Sequence, residues 1–221
     1  MNTPIRRPST IKAVAAVAAA MASGGLASTA AAAGATPPAS TPSTTTPLRF
    51  DVHGSAQVRT GIRGTVAIDG TFDGTLDRST GTFSGAFTLT PTVAHVVVLG
   101  LVPADADTTW LFTEPVTGTW RDGVLTLHAA AKIRHPRLVA FGHVIAGGPT
   151  CSTTRPSVLD LRSDPASPVA DPADGATLTT SGQGFAISAL SGCGWLDGAL
   201  SAIAAGTGNQ ATLTLSRPQV G

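Results

Sequence analysis

The side chains with chemistry to offer in this 221-residue chain are five histidines, two cysteines and thirteen acidic residues, and their spacing limits what they can do. The histidines stand at His53, His95, His128, His135 and His143. No pair falls at i, i+4 of a helix or i, i+2 of a strand, the spacings that aim two imidazoles at one ion. No cysteine joins them either, so a zinc site is not expected. His135, before Pro136, and His143, between Gly142 and Val144, are the best candidates for a functional pair. Asp69, Asp73 and Asp77 share one strand face, but residues four apart in an extended chain are separated by roughly 13 Å, at about 3.3 Å per residue. A calcium ion holding its oxygens at about 2.3–2.6 Å cannot join them, so a solvated face is expected. Asp105 with Asp107, and Asp171 with Asp174, have calcium-compatible spacing without the rest of a ligand loop, and turn chemistry is their expected role.

No serine is flanked as Gly-x-Ser-x-Gly. Ser84 beside Gly85 and Ser181 beside Gly182 lack the strand–elbow–helix context of a nucleophile. Glu114 is the sole glutamate and precedes Pro115, which leaves a catalytic carboxylate pair unsupported. The glycine-rich segments fall in strands and never open a helix that could cradle phosphate. The three tryptophans could stack sugars, but core and helix-docking roles are expected of them. No catalytic residue, metal or cofactor is therefore assigned, and the chain is expected not to be an enzyme.

The first 35 residues place the protein. Arg6, Arg7 and Lys12 form a basic start, residues 11–22 a short apolar core, and small residues follow with A-x-A patterns ending at Ala33 and Ala35. This order describes a secretory signal peptide over 1–35, cleaved near Ala33 or Ala35. A dozen apolar residues fall short of the roughly 20 that cross a bilayer, so no transmembrane anchor is expected. Arg6-Arg7 invites a twin-arginine reading, but Pro8 follows directly, and general export is the expectation. Residues 36–47, built of Thr, Pro, Ser and Ala, form a disordered linker, and 48–221 a single β-rich domain. In an oxidising compartment Cys151 and Cys193 are expected to form one disulfide, with two buried thiols or a reactive thiol at Cys193 as the alternatives. A loop of about 43 residues contributes on the order of 4 kcal/mol in the chain-entropy model.

Three of the fourteen Lys and Arg lie in the leader, leaving eleven against thirteen Asp and Glu. No basic stripe remains for nucleic acid or an anionic membrane surface. The charged fraction is only 12%. With abundant Gly, Thr, Ala and Val, that composition suits a packed β-structure.

The elements follow from periodicity. From Ile62 to Asp77 apolar or glycine positions alternate with polar ones over eight matches, a half-buried strand whose inner face carries Gly64, Gly70 and Gly74. Asp77 to Gly81 reads as a turn and Phe83, Gly85, Phe87 and Leu89 as the returning strand. The run 93–102 is expected to be a strand buried on both faces. Short strands follow at 110–112 and 116–120, then an Asp122-Gly123 hairpin turn and a strand with Leu125, Leu127, Ala129, Ala131 and Ile133 inward. In that strand His128 and Lys132 should face solvent. Segments 158–161, 185–190 and 211–215 complete the strands, and 163–175 is a surface loop. Trp195, Leu196, Ala199, Leu200 and Ile203 recur at helical spacing, with Asp197 in the first turn. The fold class is all-β: an antiparallel β-sandwich or flattened barrel with one short C-terminal helix.

Gly148-Pro149-Thr150-Cys151-Ser152, Ser191-Gly192-Cys193-Gly194 and the run from Gly206 to Leu215 resemble the uncharacterised secreted cysteine-pair β-domain proteins of high-GC actinobacteria. The resemblance implies an exported β-domain and carries no catalytic residues. The functional expectation is a secreted, non-catalytic cell-envelope or extracellular binding module, monomeric, with an envelope component or a small apolar ligand as partner. One alternative is a carrier holding a small apolar ligand in a β-barrel cavity, suggested by the glycine-bearing face of 62–76 and the run 93–102. It requires an enclosed pocket of several hundred Å³, in the range typical of ligand sites. A second alternative is a secreted hydrolase with dispersed Ser, His and Asp, which requires a Ser–His contact in a cleft.

Overall fold

Alternation of inward apolar and outward polar side chains builds nearly every element in a computed structural model that describes residues 45–218. The expected leader and the linker up to residue 44 lie outside the described residues, whereas Thr45, Thr46 and Pro47, expected to end the disordered linker, already belong to a paired strand. Strands β1 (Thr45–Arg59) and β2 (Ile62–Asp77) form a long hairpin, paired from Thr45 opposite Asp77 to Arg59 opposite Arg63. On β2 Val66, Ile68, Phe72 and Leu76 point inward while Arg63, Thr65, Asp69 and Asp73 point outward. β1 lies upstream of where the sequence pattern is read to begin. Its own alternation, with Leu48, Phe50, Val52 and Ala56 buried, is diluted at Gly54.

Two shorter strands lie end to end along the other edge of β2: β3 (Thr82–Leu89) against 70–77 and β4 (Thr92–Val98) against 62–65. Likewise β5 (Val102–Phe112) and β6 (Val116–Arg121) share the edge of β7 (Val124–Arg134). The pairs β3–β6 and β4–β5 join these halves. From β5 hang β8 (Leu138–Ala140) and β9 (His143–Ala146), followed by β10 (Ser152–Thr153). The chain continues through β11 (Ser157–Ser163), β12 (Gly175–Thr180), β13 (Phe185–Ile187) and β14 (Leu190–Ser191). It ends in helix α1 (Asp197–Ala204) and β15 (Gly206–Ser216). β7 pairs with β11, β11 with β12, β12 with β15, and β15 with β1. Stepping through β1, β2, β3, β6, β7, β11, β12 and β15 thus returns to β1, and the antiparallel sheet closes as a barrel.

The barrel is filled differently at its two ends. At one, Phe50, Phe72, Phe83, Phe87 and Phe112 form a chain of rings with neighbouring centroids 5.4–6.2 Å apart. Inward glycines make room for them. A Cβ on Gly85 would lie 2.6 Å from Phe72 Cζ, and one on Gly118 only 2.1 Å from Phe83 Cζ. The glycines at 70, 74 and 85 therefore bed aromatic rings and neighbouring backbone instead of lining a cavity, which corrects the expectation drawn from the face of 62–76. The segment between β11 and β12 closes this end: Pro172 is buried, Trp120 Nε1 donates to the Val169 carbonyl at 3.0 Å, and Val169 N donates to the Gly123 carbonyl at 2.7 Å.

The opposite end is covered by α1 and the Cys151–Cys193 disulfide, around which Leu190, Leu200 and Ala204 are buried. The Asp197 carboxylate accepts from the backbone N–H groups of Gly192 (3.1 Å) and Cys193 (2.7 Å), tying the helix start to the disulfide. Two further expectations change. The run 93–102 is one strand and a hairpin tip: Ala94 and Val96 face in, while Val93 and Val97 face solvent because this part of the sheet is covered on one side only. Trp195 is not a helix-docking residue. It precedes α1 and is 89% exposed, and Leu196, Leu200 and Ile203 do the docking. Among the described residues no helix is long and apolar enough to cross a membrane.

The ring–glycine packing predicts that Gly118→Ala lowers the melting temperature through overpacking of roughly 1–3 kcal/mol. In a double-mutant cycle with Phe83→Ala the combined loss should be smaller than the sum of the two singles, because the truncated ring relieves one of the two contacts the new methyl would make, the other being the Thr126 carbonyl at 2.3 Å. Additive losses would show that Phe83 and Gly118 do not share that space.

Candidate functional site

Below the aromatic end the inward positions change from phenylalanine to alanine and valine, and the packing opens. Ala56 and Val58 on β1, Ile62 and Val66 on β2, Ala94 and Val96 on β4, Ala104 and Ala106 on β5, and Ala140 on β8 enclose a cavity of about 190 Å³. Phe185, Ile187, Leu200, Ile203 and Ala204 close it from the helix side. At roughly 24 cal/mol per Å³ a void of this size costs about 4–5 kcal/mol of packing. That is a large part of the roughly 5–15 kcal/mol by which ordinary domains are stable. Larger side chains at Ala94 or Ala106, which face each other across β4 and β5, would recover part of it.

The lining is almost wholly apolar. Asp105, its one acidic residue, turns its carboxylate to His95 Nδ1 at 2.7 Å, on the exposed face. Thr108 is buried and donates to the Ala106 carbonyl at 3.1 Å. His135 Nδ1 lies 3.3 Å from the Asp107 carbonyl and 3.5 Å from Thr108 Oγ1. Burial lowers the His135 pKa below the ordinary imidazole value, partly offset by the Asp107 carbonyl, so the ring is neutral at neutral pH. Trp110 supplies one donor in need of a partner: its Nε1 is buried and without a hydrogen bond among the described residues.

His135 thus lines the cavity, and the structure does not unite it with His143. His135 N donates to the Cys151 carbonyl at the base of the β8–β9 hairpin, whereas His143 lies opposite Ala140 beside the hairpin tip. The remaining three histidines each stand directly across an antiparallel pair from an aspartate: His53 from Asp69, His95 from Asp105 and His128 from Asp160. Nδ1 lies 2.9, 2.7 and 2.7 Å from the carboxylate in turn. The expected solvated face of β2 is therefore laced across strands, with Asp73 bound to Arg49 at 2.5 Å and Asp77 folded onto Ser79 Oγ at 2.6 Å. Asp171 accepts from Ala173 N in its turn, as expected, and Asp174 pairs with Arg217, but Asp105 and Asp107 correct the expectation of turn chemistry: both lie within β5, where they bond His95 and Arg137. No cluster of metal ligands occurs among the described residues. Sequence reasoning could have found the histidine–aspartate pairs only by knowing the register.

His128 shows how far such a pair departs from a catalytic dyad. Nδ1 meets Asp160 and Nε2 lies 3.6 Å from Glu114, so both ring nitrogens face carboxylates. Ser181 Oγ donates instead to the Asp160 main-chain carbonyl at 3.2 Å. The hydrogen bond and charge of Asp160 raise the His128 pKa against an opposing desolvation, and Glu114 adds to the rise. A raised folded-state pKa stabilises the fold below the unfolded value of about 6.5, and the contribution fades as pH climbs through the raised value. Asp160→Asn should bring the His128 titration, followed by imidazole proton shifts in NMR, back toward the ordinary value. An unchanged midpoint would remove Asp160 as the cause.

Comparison of the chain with protein-family models, with curated proteins and with solved structures finds no match.

Proposed function

We propose that this protein is an exported, non-catalytic binding module whose ligand is a small, uncharged, predominantly apolar molecule held in the barrel cavity. The observation that carries the reading is a void that a few larger side chains would fill, ringed by alanine and valine at the end of the barrel opposite its aromatic plug. At about 190 Å³ it does not meet the several hundred Å³ that a carrier of an ordinary apolar ligand requires, which confines the proposed ligand to one smaller than a carrier's. A cavity of about 150 Å³ accommodates benzene, so the fitting class is a single ring or a short chain slightly larger than that. The buried Trp110 N–H favours a ligand with one acceptor, such as an alcohol or ketone, over a pure hydrocarbon. Export rests on the leader-like start of the sequence and is in keeping with the Cys151–Cys193 disulfide.

Thermal unfolding in the presence of benzene, cyclohexanol and cyclohexanone tests the reading. The expected result is a saturable rise in melting temperature, since a ligand that binds only the native state stabilises it by mass action. Ala106→Leu, or Ala94→Leu if the first fails to fold, should abolish the rise while leaving the fold at least as stable. Trp110→Phe should erase the preference for the alcohol and ketone over benzene. No stabilisation by any of the three, or equal stabilisation of the filled variants, would refute it.

A further inference from the structure

The strands that line the cavity end in two hairpin tips. Leu99 and Gly100 turn β4 into β5, and Phe141 and Gly142 turn β8 into β9. Ala104 lies opposite Ala140, so the register sets the two tips side by side. The first residue of each turn is left-handed, with φ of 50° at Leu99 and 52° at Phe141, followed by glycine at 73° and 78°. Asn or Asp is the residue suited to that position, and a bulky apolar side chain is strained there. The same chain shows the ordinary solution at the far end of the barrel, where the β6–β7 turn places Asp122 at φ 51° before Gly123.

Strain is joined by exposure. Leu99 is 65% exposed, Leu101 84%, Phe141 74% and Val144 66%. Residues 93–104 and 138–148 contain no Asp, Glu, Lys or Arg. Two backbone donors of the first tip are already paired: Leu99 N donates to the Gly61 carbonyl at 2.8 Å and Leu101 N to the Val98 carbonyl at 3.0 Å. Paired backbone groups are what a segment entering hydrocarbon needs. Ile145, 40% exposed, also lines the cavity, so the cavity wall reaches the surface at these tips.

We infer that the paired tips, led by Leu99 and Phe141, are a docking surface for a lipid layer, holding the cavity end of the barrel against the phase in which a small apolar ligand dissolves. This rests on the proposed ligand reading for its purpose but on separate residues for its evidence. Strained apolar residues at projecting, charge-free turns fit a lipid interior, which offers no partner for charge and accepts convex apolar points without a matching groove.

Sedimentation of the protein, without its leader, with phosphatidylcholine vesicles tests the inference. Wild-type protein should pellet with the vesicles, equally well when a quarter of the lipid is anionic and at high salt, as apolar insertion demands. Leu99→Asn with Phe141→Asn should reduce pelleting at least tenfold while keeping or raising the melting temperature, because asparagine suits both turns. Benzene binding by that variant should be unchanged. Wild-type protein left in the supernatant, a double variant that pellets as before, or binding that needs anionic lipid would overturn the docking surface. So would a wild-type dimer that the double substitution dissociates, since the tips would then serve a second copy of the chain. A protein that pellets but binds no benzene would instead sink the ligand reading and leave the docking surface standing.

Discussion

Closing an antiparallel sheet on itself removes its edges and, in the same step, creates an interior that the chain must fill from inward positions alone. Everything distinctive about this protein follows from how that space is shared out. β1 carries the closure, pairing with β2 over its full length on one side and with β15 on the other. Half of the space takes phenylalanine rings, a dense solution in which Phe72 lies over Gly74 and Gly85, and Phe83 over Gly118. The other half takes alanine and valine with no compensating ring, and a void remains.

The two ends are also finished differently. The aromatic end is sealed by a proline-containing loop with its own hydrogen bonds to β6 and the β6–β7 turn. The hollow end is covered by a two-turn helix that the Asp197 carboxylate ties to the disulfide, a fixed cover over soft packing. On the outside, cross-strand His–Asp and Arg–Asp pairs give several of the charged side chains local partners. Exposed pairs of this kind add little to stability. Their bearing is on where charge lies: it is spread over the barrel wall and missing from the two tips beside the cavity.

The strands that alternate cleanly are legible in the sequence. β2, β3 and β7 could be drawn from Ile62, Phe83 and Leu125 onward because large apolar residues mark each inward step. β1 and β12 are harder. Glycine, alanine and threonine occupy enough of their positions that the period is faint, and both are strands because β15 and their other neighbours supply partners. The disulfide is legible from the cysteine count together with the leader-like start of the sequence. The cavity is not, since whether an inward alanine faces a ring or a void depends on which strand ends opposite it. Nor are the His–Asp pairs, whose members lie ten to thirty-two residues apart and meet through register. Trp195 illustrates the reverse error: helical spacing includes it, but the helix begins two residues later and leaves it in solvent.

One half of this barrel is solid and the other hollow and apolar. Methyl NMR under xenon pressure reads that contrast directly, because xenon enters dry apolar voids and leaves filled cores alone. The expected result is saturable shifts at Val66, Val96, Ile187 and Ile203, with Leu76, Leu125 and Leu127 unmoved. Shifts of equal size at both ends, or none at the first group, would contradict it.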